Sequence, residues 1–190
     1  MASDRVIFAS PIIKCEYMAD DYLGRKMEDH ASRTAVKRRP AATLCGLLAR
    51  SRACFDYDPS FAVRDDQLSG IAGVNESIPS AARLFRFRAV RGAEARRVLE
   101  VACCGVRFST PPDALIVVCA VVPESRTVDI ELGVAVQSMS LRATEMGLAT
   151  LRIDDFDRAA VAACLDSDCE PLAILAVGRS AARSATASNK

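Results

Sequence analysis

The sequence predicts an α+β domain, helices layered on one central sheet, and three features of its 190 residues carry that reading. Residues 114–121 are an unbroken run of aliphatic and β-branched side chains, the pattern of a strand covered on both faces. Residues 128–146 have helical composition with little polar surface, so that helix must be buried within a core or against a second subunit. Helical and strand patterns interleave along the rest of the chain, which builds a layered domain with one sheet. The length suits a single domain that buries ~70% of its unfolded surface, so no disulfide or metal staple is needed.

Taken in order, residues 1–17 hold a short apolar stretch broken by Ser10 and Pro11, with no small-residue cleavage site after it. They read as a disordered N-terminal extension rather than a signal peptide. The ordered domain is expected over 18–180. Asp20 and Asp21 cap a first helix with Tyr22, Leu23 and Met27 on one side. Lys37-Arg38-Arg39-Pro40 is a solvated basic connector. A helix follows over 43–50 on Leu44, Leu47 and Leu48, then a turn at Asp56-Tyr57-Asp58-Pro59-Ser60.

Asp65, Asp66 and Gln67 open the next helix, with Leu68, Ile71 and Val74 at helical spacing and Pro79 beyond its end. Phe85-Arg86-Phe87-Arg88-Ala89-Val90 alternates with the period of a half-exposed strand. Residues 94–104 are helical in composition, and Pro111-Pro112 breaks the chain before the buried strand. Gly147 closes the long helix in the C′ position. A strand over 149–153, an Asp-capped helix over 157–165 and a core strand over 172–177 complete the domain. Residues 181–190 are a flexible tail of small and polar side chains.

Composition removes several function classes. Lys plus Arg is 25 against 24 for Asp plus Glu, so no bulk positive field attracts nucleic acid. The longest apolar stretch has nine residues, 114–122, against the ~20 that a bilayer-spanning helix needs. The single histidine, His30, lies in a charged segment and reads as a surface residue, and one histidine rules out two-His zinc motifs within the chain. None of the eight cysteines stands in a C-x-x-C or other common ligand spacing. They read as reduced thiols of a cytoplasmic protein, several of them small core hydrophobes. The sequence has no P-loop, no G-x-G-x-x-G and no G-x-S-x-G.

One resemblance is specific. Val128-Asp129-Ile130-Glu131-Leu132-Gly133-Val134-Ala135-Val136-Gln137-Ser138-Met139, running on through Glu145-Met146-Gly147-Leu148, resembles the central helix of the FMN-dependent nitroreductase family. Ile153-Asp154-Asp155-Phe156-Asp157, Glu170-Pro171-Leu172 and Val177-Gly178-Arg179 continue the likeness. Upstream, Ile78-Pro79-Ser80-Ala81-Ala82 falls where the family has a Pro-Ser-x-x-Asn flavin loop. The resemblance spans about residues 20–180.

It implies a three-layer α/β/α domain with a central mixed, mainly antiparallel sheet, working as a homodimer with two FMN sites, each built from both subunits. NAD(P)H would be the electron donor, and nitroaromatics, quinones or related small molecules the acceptors. The flavin carries that chemistry, so the poverty of histidine is no obstacle. The phosphate clamp of the family falls on Arg50, Ser51 and Arg52. If Arg50-Ser51 opens the motif, its second cation becomes Ala53; if Arg52 opens it, the second cation becomes Phe55. In the Pro-Ser loop Pro79 and Ser80 match and Arg83 stands at the asparagine position. Asp154 takes the place of an acidic residue near flavin N5, Asp155 replaces a small one, and Arg179 is a further phosphate candidate. Two readings follow: an FMN-dependent oxidoreductase with a modified pocket, or a dimer of the same fold that has lost tight flavin binding and acts as a binding or structural protein.

Overall fold

The computed structural model describes residues 43–102, 105–123, 125–165 and 170–181. The expected N-terminal extension, the helix opening at Asp20, His30 and the tail beyond residue 181 lie outside the described residues. The elements in chain order are α1 (Leu44–Arg50), α2 (Asp65–Ala72), a 3₁₀ turn (Gly73–Ser77), α3 (Pro79–Leu84), β1 (Phe85–Arg91), α4 (Gly92–Ala102), β2 (Ala114–Ala120), α5 (Arg126–Glu145), β3 (Ala149–Ile153), α6 (Arg158–Cys164) and β4 (Glu170–Gly178).

The sheet has the order β1-β2-β4-β3, and every neighbouring pair is antiparallel. Among the described residues, parallel pairing is confined to the isolated bridges of Ala53 with Thr150 and Asp56 with Thr110. Ile116 lies opposite Leu175, Phe85 opposite Ala120 and Ile153 opposite Ile174. The β2–β4 register slips between Val118 and Cys119, which face Ala173 and Pro171. Pro171 has no N–H to give a ladder, so a bulge beside it leaves no donor missing.

Side chains on the two central strands alternate between two cores. Ile116, Val118, Leu175 and Val177 meet Leu68 and Ile71 of α2, Ala81 of α3, and Leu132, Ala135, Val136 and Met139 of α5. Leu115, Val117, Cys119, Ile174 and Ala176 meet Ala95 and Val98 of α4 and Val161 of α6. The result is the expected α/β/α sandwich, with β2 buried along its whole length because helices cover both its faces.

Local chemistry sets most of the ends. Ser125 caps α5 by accepting the N–H of Val128, so the helix starts two residues before the apolar run does. Gly147 takes φ +81° just past its end, a conformation that suits glycine. Asp157 caps α6 through the N–H of Ala160 at 2.9 Å. The run from Asp65 through Val74 is not one α-helix: beyond Ala72 it tightens into the 3₁₀ turn, and Pro79 opens α3 as its first residue.

α5 is buried on one side only. Leu132, Ala135, Val136, Met139 and Ala143 face the sheet, while Ile130 and Val134 are 59% and 45% exposed. Leu44 and Leu48 of α1, which packs on α5, are also exposed, at 62% and 48%. Each pair is spaced i, i+4, so each forms an apolar stripe on one helix face. Among the described residues, no helix is long and apolar enough to cross a membrane.

Candidate functional site

α1 ends at Arg50, and two arginines fold back on its last carbonyls. Arg50 Nε donates to Gly46 O and Arg52 Nε to Ala49 O, each at 3.1 Å. Those bonds use one nitrogen of each fork, and the Arg52 bond answers a carbonyl that the helix end leaves orphaned. Neither guanidinium has a carboxylate partner among the described residues.

Residues 53–58 then run as an extended strap that ties three distant segments together. Cys54 N–H donates to Thr150 O at 3.2 Å at the start of β3, and Tyr57 N–H to Thr110 O at 3.2 Å. Ser109 N–H donates to Phe55 O at 2.9 Å, Asp58 N–H to Arg179 O at 2.8 Å and Ala181 N–H to Asp56 O at 3.1 Å. Tyr57 anchors the strap, its ring buried at 1% exposure beside Phe108 and against Gly178. Its hydroxyl has no hydrogen-bond partner among the described residues, and burial, with Cys54 adding to it, pushes the phenol well above its ordinary range.

This strap frames a cavity of ≈ 260 Å³ lined by Arg50, Arg52, Ala53, Cys54, Leu148, Ala149 and Ser180. Two cations without a carboxylate partner among the described residues, beside small residues that leave space, suit a phosphate group. The volume falls just below the ~300–1,000 Å³ usual for a whole ligand and accommodates a phosphate group. To that extent the residues present fit FMN at its phosphate end.

The other residues singled out in the sequence lie in two further places. Ser51 is half-buried at the α1 terminus, next to the cavity. The Arg179 guanidinium lies 3.8 Å from the Phe61 ring centroid, a cation–π contact, and only its backbone joins the strap. Pro79, Ser80 and Arg83 stand on α3, where Ser80 Oγ donates to Glu131 Oε2 at 2.7 Å and Arg83 Nε to Pro79 O at 3.3 Å. Glu131 is in the second turn of α5, whereas Leu148 of the cavity follows its far end, about 20 Å away along the axis. Within one chain, the Pro-Ser turn and the arginine pair therefore do not meet.

Asp154 and Asp155 follow β3, whose last residue lies about 13 Å along the strand from Ala149 in the cavity wall. Asp154 is held by Arg152 Nε at 2.6 Å, and Asp155 is exposed. Sequence reasoning missed Arg152, Ser180 and Glu131. Only Arg152, two residues from Asp154, carried a local signal.

No protein-family model matches the chain, and no curated protein matches it either. Solved structures do. A Parabacteroides distasonis protein described as an NADH dehydrogenase/NAD(P)H nitroreductase aligns with TM-score 0.61 at 19% identity, over 71% of this chain and 85% of that one. The chain has the nitroreductase fold. A nitroreductase family protein of Clostridium novyi NT gives TM-score 0.60 at 17% identity, over 73% and 86% of the two chains. A variant of the FMN and NADPH-dependent nitroreductase NfnB from sphigopyxis sp. strain HMH gives 0.58 at 14%, over 74% and 89%. At these identities the likeness to the nitroreductases is one of fold.

Proposed function

We propose that this protein is a cytoplasmic, homodimeric, FMN-dependent oxidoreductase of nitroreductase type, taking electrons from NAD(P)H and reducing small acceptors such as nitroaromatics or quinones. The observation that carries the proposal is the pair Arg50 and Arg52, uncompensated beside a cavity on a nitroreductase fold, where the sequence resemblance expects a phosphate clamp. FMN, when bound, would supply hydride and electron transfer. The protein's share is binding and electrostatics. Arg50 and Arg52 hold phosphate oxygens, and the small side chains of Ala53 and Ala149 leave them room. Arg152 offsets the Asp154 charge that would otherwise oppose an electron-rich ring.

A second copy supplies what one chain lacks. The exposed stripes Leu44–Leu48 and Ile130–Val134 gain cover by pairing, and pairing brings a Pro79-Ser80 turn from outside. The separation of Ser80 from the arginine cavity by most of α5 supports such a composite site.

One group of observations favours the second reading, a dimer without tight FMN. Ser80 is committed to Glu131, Arg83 is tied to its own helix, and Asp155 presents a carboxylate where a small residue is expected. The visible spectrum decides between them. Purified protein is incubated with FMN, desalted, and scanned before and after NAD(P)H. Stoichiometric flavin that bleaches on reduction supports the oxidoreductase. A colourless dimer that releases all its FMN supports the binding protein.

A further inference from the structure

β1 forms one edge of the sheet, and its outer side is open among the described residues. Val121 N–H donates to Leu84 O and Gly92 N–H to Asp113 O, each at 2.9 Å, and the β1–β2 register between them is unbroken. In an antiparallel pair such bonds fall on alternate residues, so Arg86, Arg88 and Val90 direct their peptide groups at β2. Phe87 and Ala89 therefore aim N–H and C=O away from the sheet, and no described residue answers them. Ala89 is exposed, and its methyl is too small to cover that backbone. Edge strands are commonly blunted by a proline, a bulge or brevity, and this seven-residue strand has none of these. It carries charge instead. Val90 packs in the core under α4 and Phe87 against the opposite core, so Arg86 and Arg88 stand on the α4 side. On that side Arg86, Arg88, Arg96 and Arg97 outnumber Glu94 and Glu100. Among the described residues Arg86 has no ion pair, and Arg88 has one, with Glu94 at 3.2 Å. On the other side of the strand a cavity of ≈ 340 Å³ opens beside Ala72, Ala82 and Phe87, with the exposed Glu76 in its wall.

We propose that the outer edge of β1 binds an extended acidic segment of a partner protein, which adds to the sheet as a further strand. Main-chain bonds to the outward groups of Phe87 and Ala89 give affinity, and alternate side chains give specificity. The acidic side chains of the segment meet Arg86 and Arg88. The side chains between them point to the other face and are apolar, entering the cavity beside Ala72, Ala82 and Phe87. Glu76 in the wall of that cavity disfavours acids there, so the partner alternates acidic with aliphatic residues. A second copy of this chain offers the same basic strand, Phe85–Arg91, and like charges set opposite each other repel. The surface does not depend on the flavin reading, because none of its residues lines the arginine cavity.

The test is fluorescence anisotropy of a labelled Glu-Val-Glu-Val-Glu-Val-Glu peptide titrated with the full chain, with Lys-Val-Lys-Val-Lys-Val-Lys as the control. The acidic peptide binds, the basic one does not, and added salt weakens the complex. Amide exchange at Phe87 and Ala89 slows when the acidic peptide is present. Ala89→Pro removes an outward N–H and leaves the bonds to β2 intact, so the protein folds and the peptide no longer binds. Arg86→Glu weakens the acidic peptide about tenfold or more and gains the basic one. The acidic peptide N-methylated at every amide fails on the unaltered protein, a loss that owes nothing to a variant's folding. No binding of the acidic peptide, equal binding of the basic one, or unchanged affinity in Ala89→Pro and Arg86→Glu overturns the assignment. A dimer that Ala89→Pro dissociates overturns it as well, since the edge is then a contact between copies.

Discussion

The contact of Gly178 with Tyr57 holds the strap on the sheet, and Gly178→Ala measures it. A Cβ built on Gly178 lies 2.6 Å from Tyr57 Cδ1, 3.3 Å from Cε1 and 3.4 Å from Cγ. Carbon atoms rest at about 3.5–4.0 Å, so the overlap with Cδ1 is roughly 1 Å. The ring has nowhere to retreat: it is 1% exposed and shares its cluster with Val98, Leu115, Val117 and Ile174, all fully buried. Overpacking of this kind costs about 1–3 kcal/mol. Replacing glycine by alanine would by itself gain about 0.4–1 kcal/mol through the unfolded chain, so the clash wins and the net change is destabilising. For a chain of this size each kcal/mol of net loss lowers Tm by about 2–4 °C.

The assay is urea and thermal unfolding of the unaltered protein, Gly178→Ala, Tyr57→Leu and the double variant. Removing the ring removes the clash, so Gly178→Ala should cost less than about 0.5 kcal/mol in the Tyr57→Leu background. A Gly178→Ala protein as stable as the parent, or an equal loss in both backgrounds, would refute the steric argument.

Tyr57→Phe deletes a buried hydroxyl that has no partner among the described residues and should be neutral or stabilising near neutral pH. Because the folded phenol pKa is raised above the unfolded value of ~10, its contribution is complete below about pH 10 and declines above it, by up to ~1.4 kcal/mol per pH unit. Urea midpoints followed from about pH 8 to 11 should fall less steeply for Tyr57→Phe than for the parent. Arg50→Ala and Arg52→Ala should each weaken FMN about tenfold to a hundredfold, read by quenching of flavin fluorescence, and high salt should weaken the parent in the same direction. Gly147→Ala forces an L side chain to φ +81° and should cost about 1–2 kcal/mol, measured by urea unfolding with the m-value unchanged.

Much of the fold is legible along the chain because its causes are local. β2 reads as a doubly covered strand from seven consecutive apolar residues, and all seven are buried. Asp157 and Gly147 mark helix ends through their own chemistry, and both do so in the structure. The 3₁₀ turn is less legible. Val74 keeps helical spacing with Leu68 and Ile71, yet the chain tightens after Ala72 and places Asn75 inside, where a polar residue reads as a surface one.

The site is legible only in part. Arg50 and Arg52 stand out as a basic pair, but their setting comes from Leu148, Ala149 and Ser180, roughly a hundred residues or more away in the chain. Ser80 reads as a free loop hydroxyl until Glu131, 51 residues on, accepts its proton.

By itself the sequence determined the class of fold, the two central strands, the long helix and a candidate phosphate clamp, because periodicity, capping and breaker residues act within a few positions. The tertiary structure decided which residues meet. It set residues of β3 and of the segment beyond β4 beside the arginine pair, left Ile130 and Val134 exposed, and buried the Asn75 amide with no hydrogen-bond partner among the described residues. Those outcomes depend on strand order and on how two helical layers seat on one sheet, which no short stretch of sequence encodes.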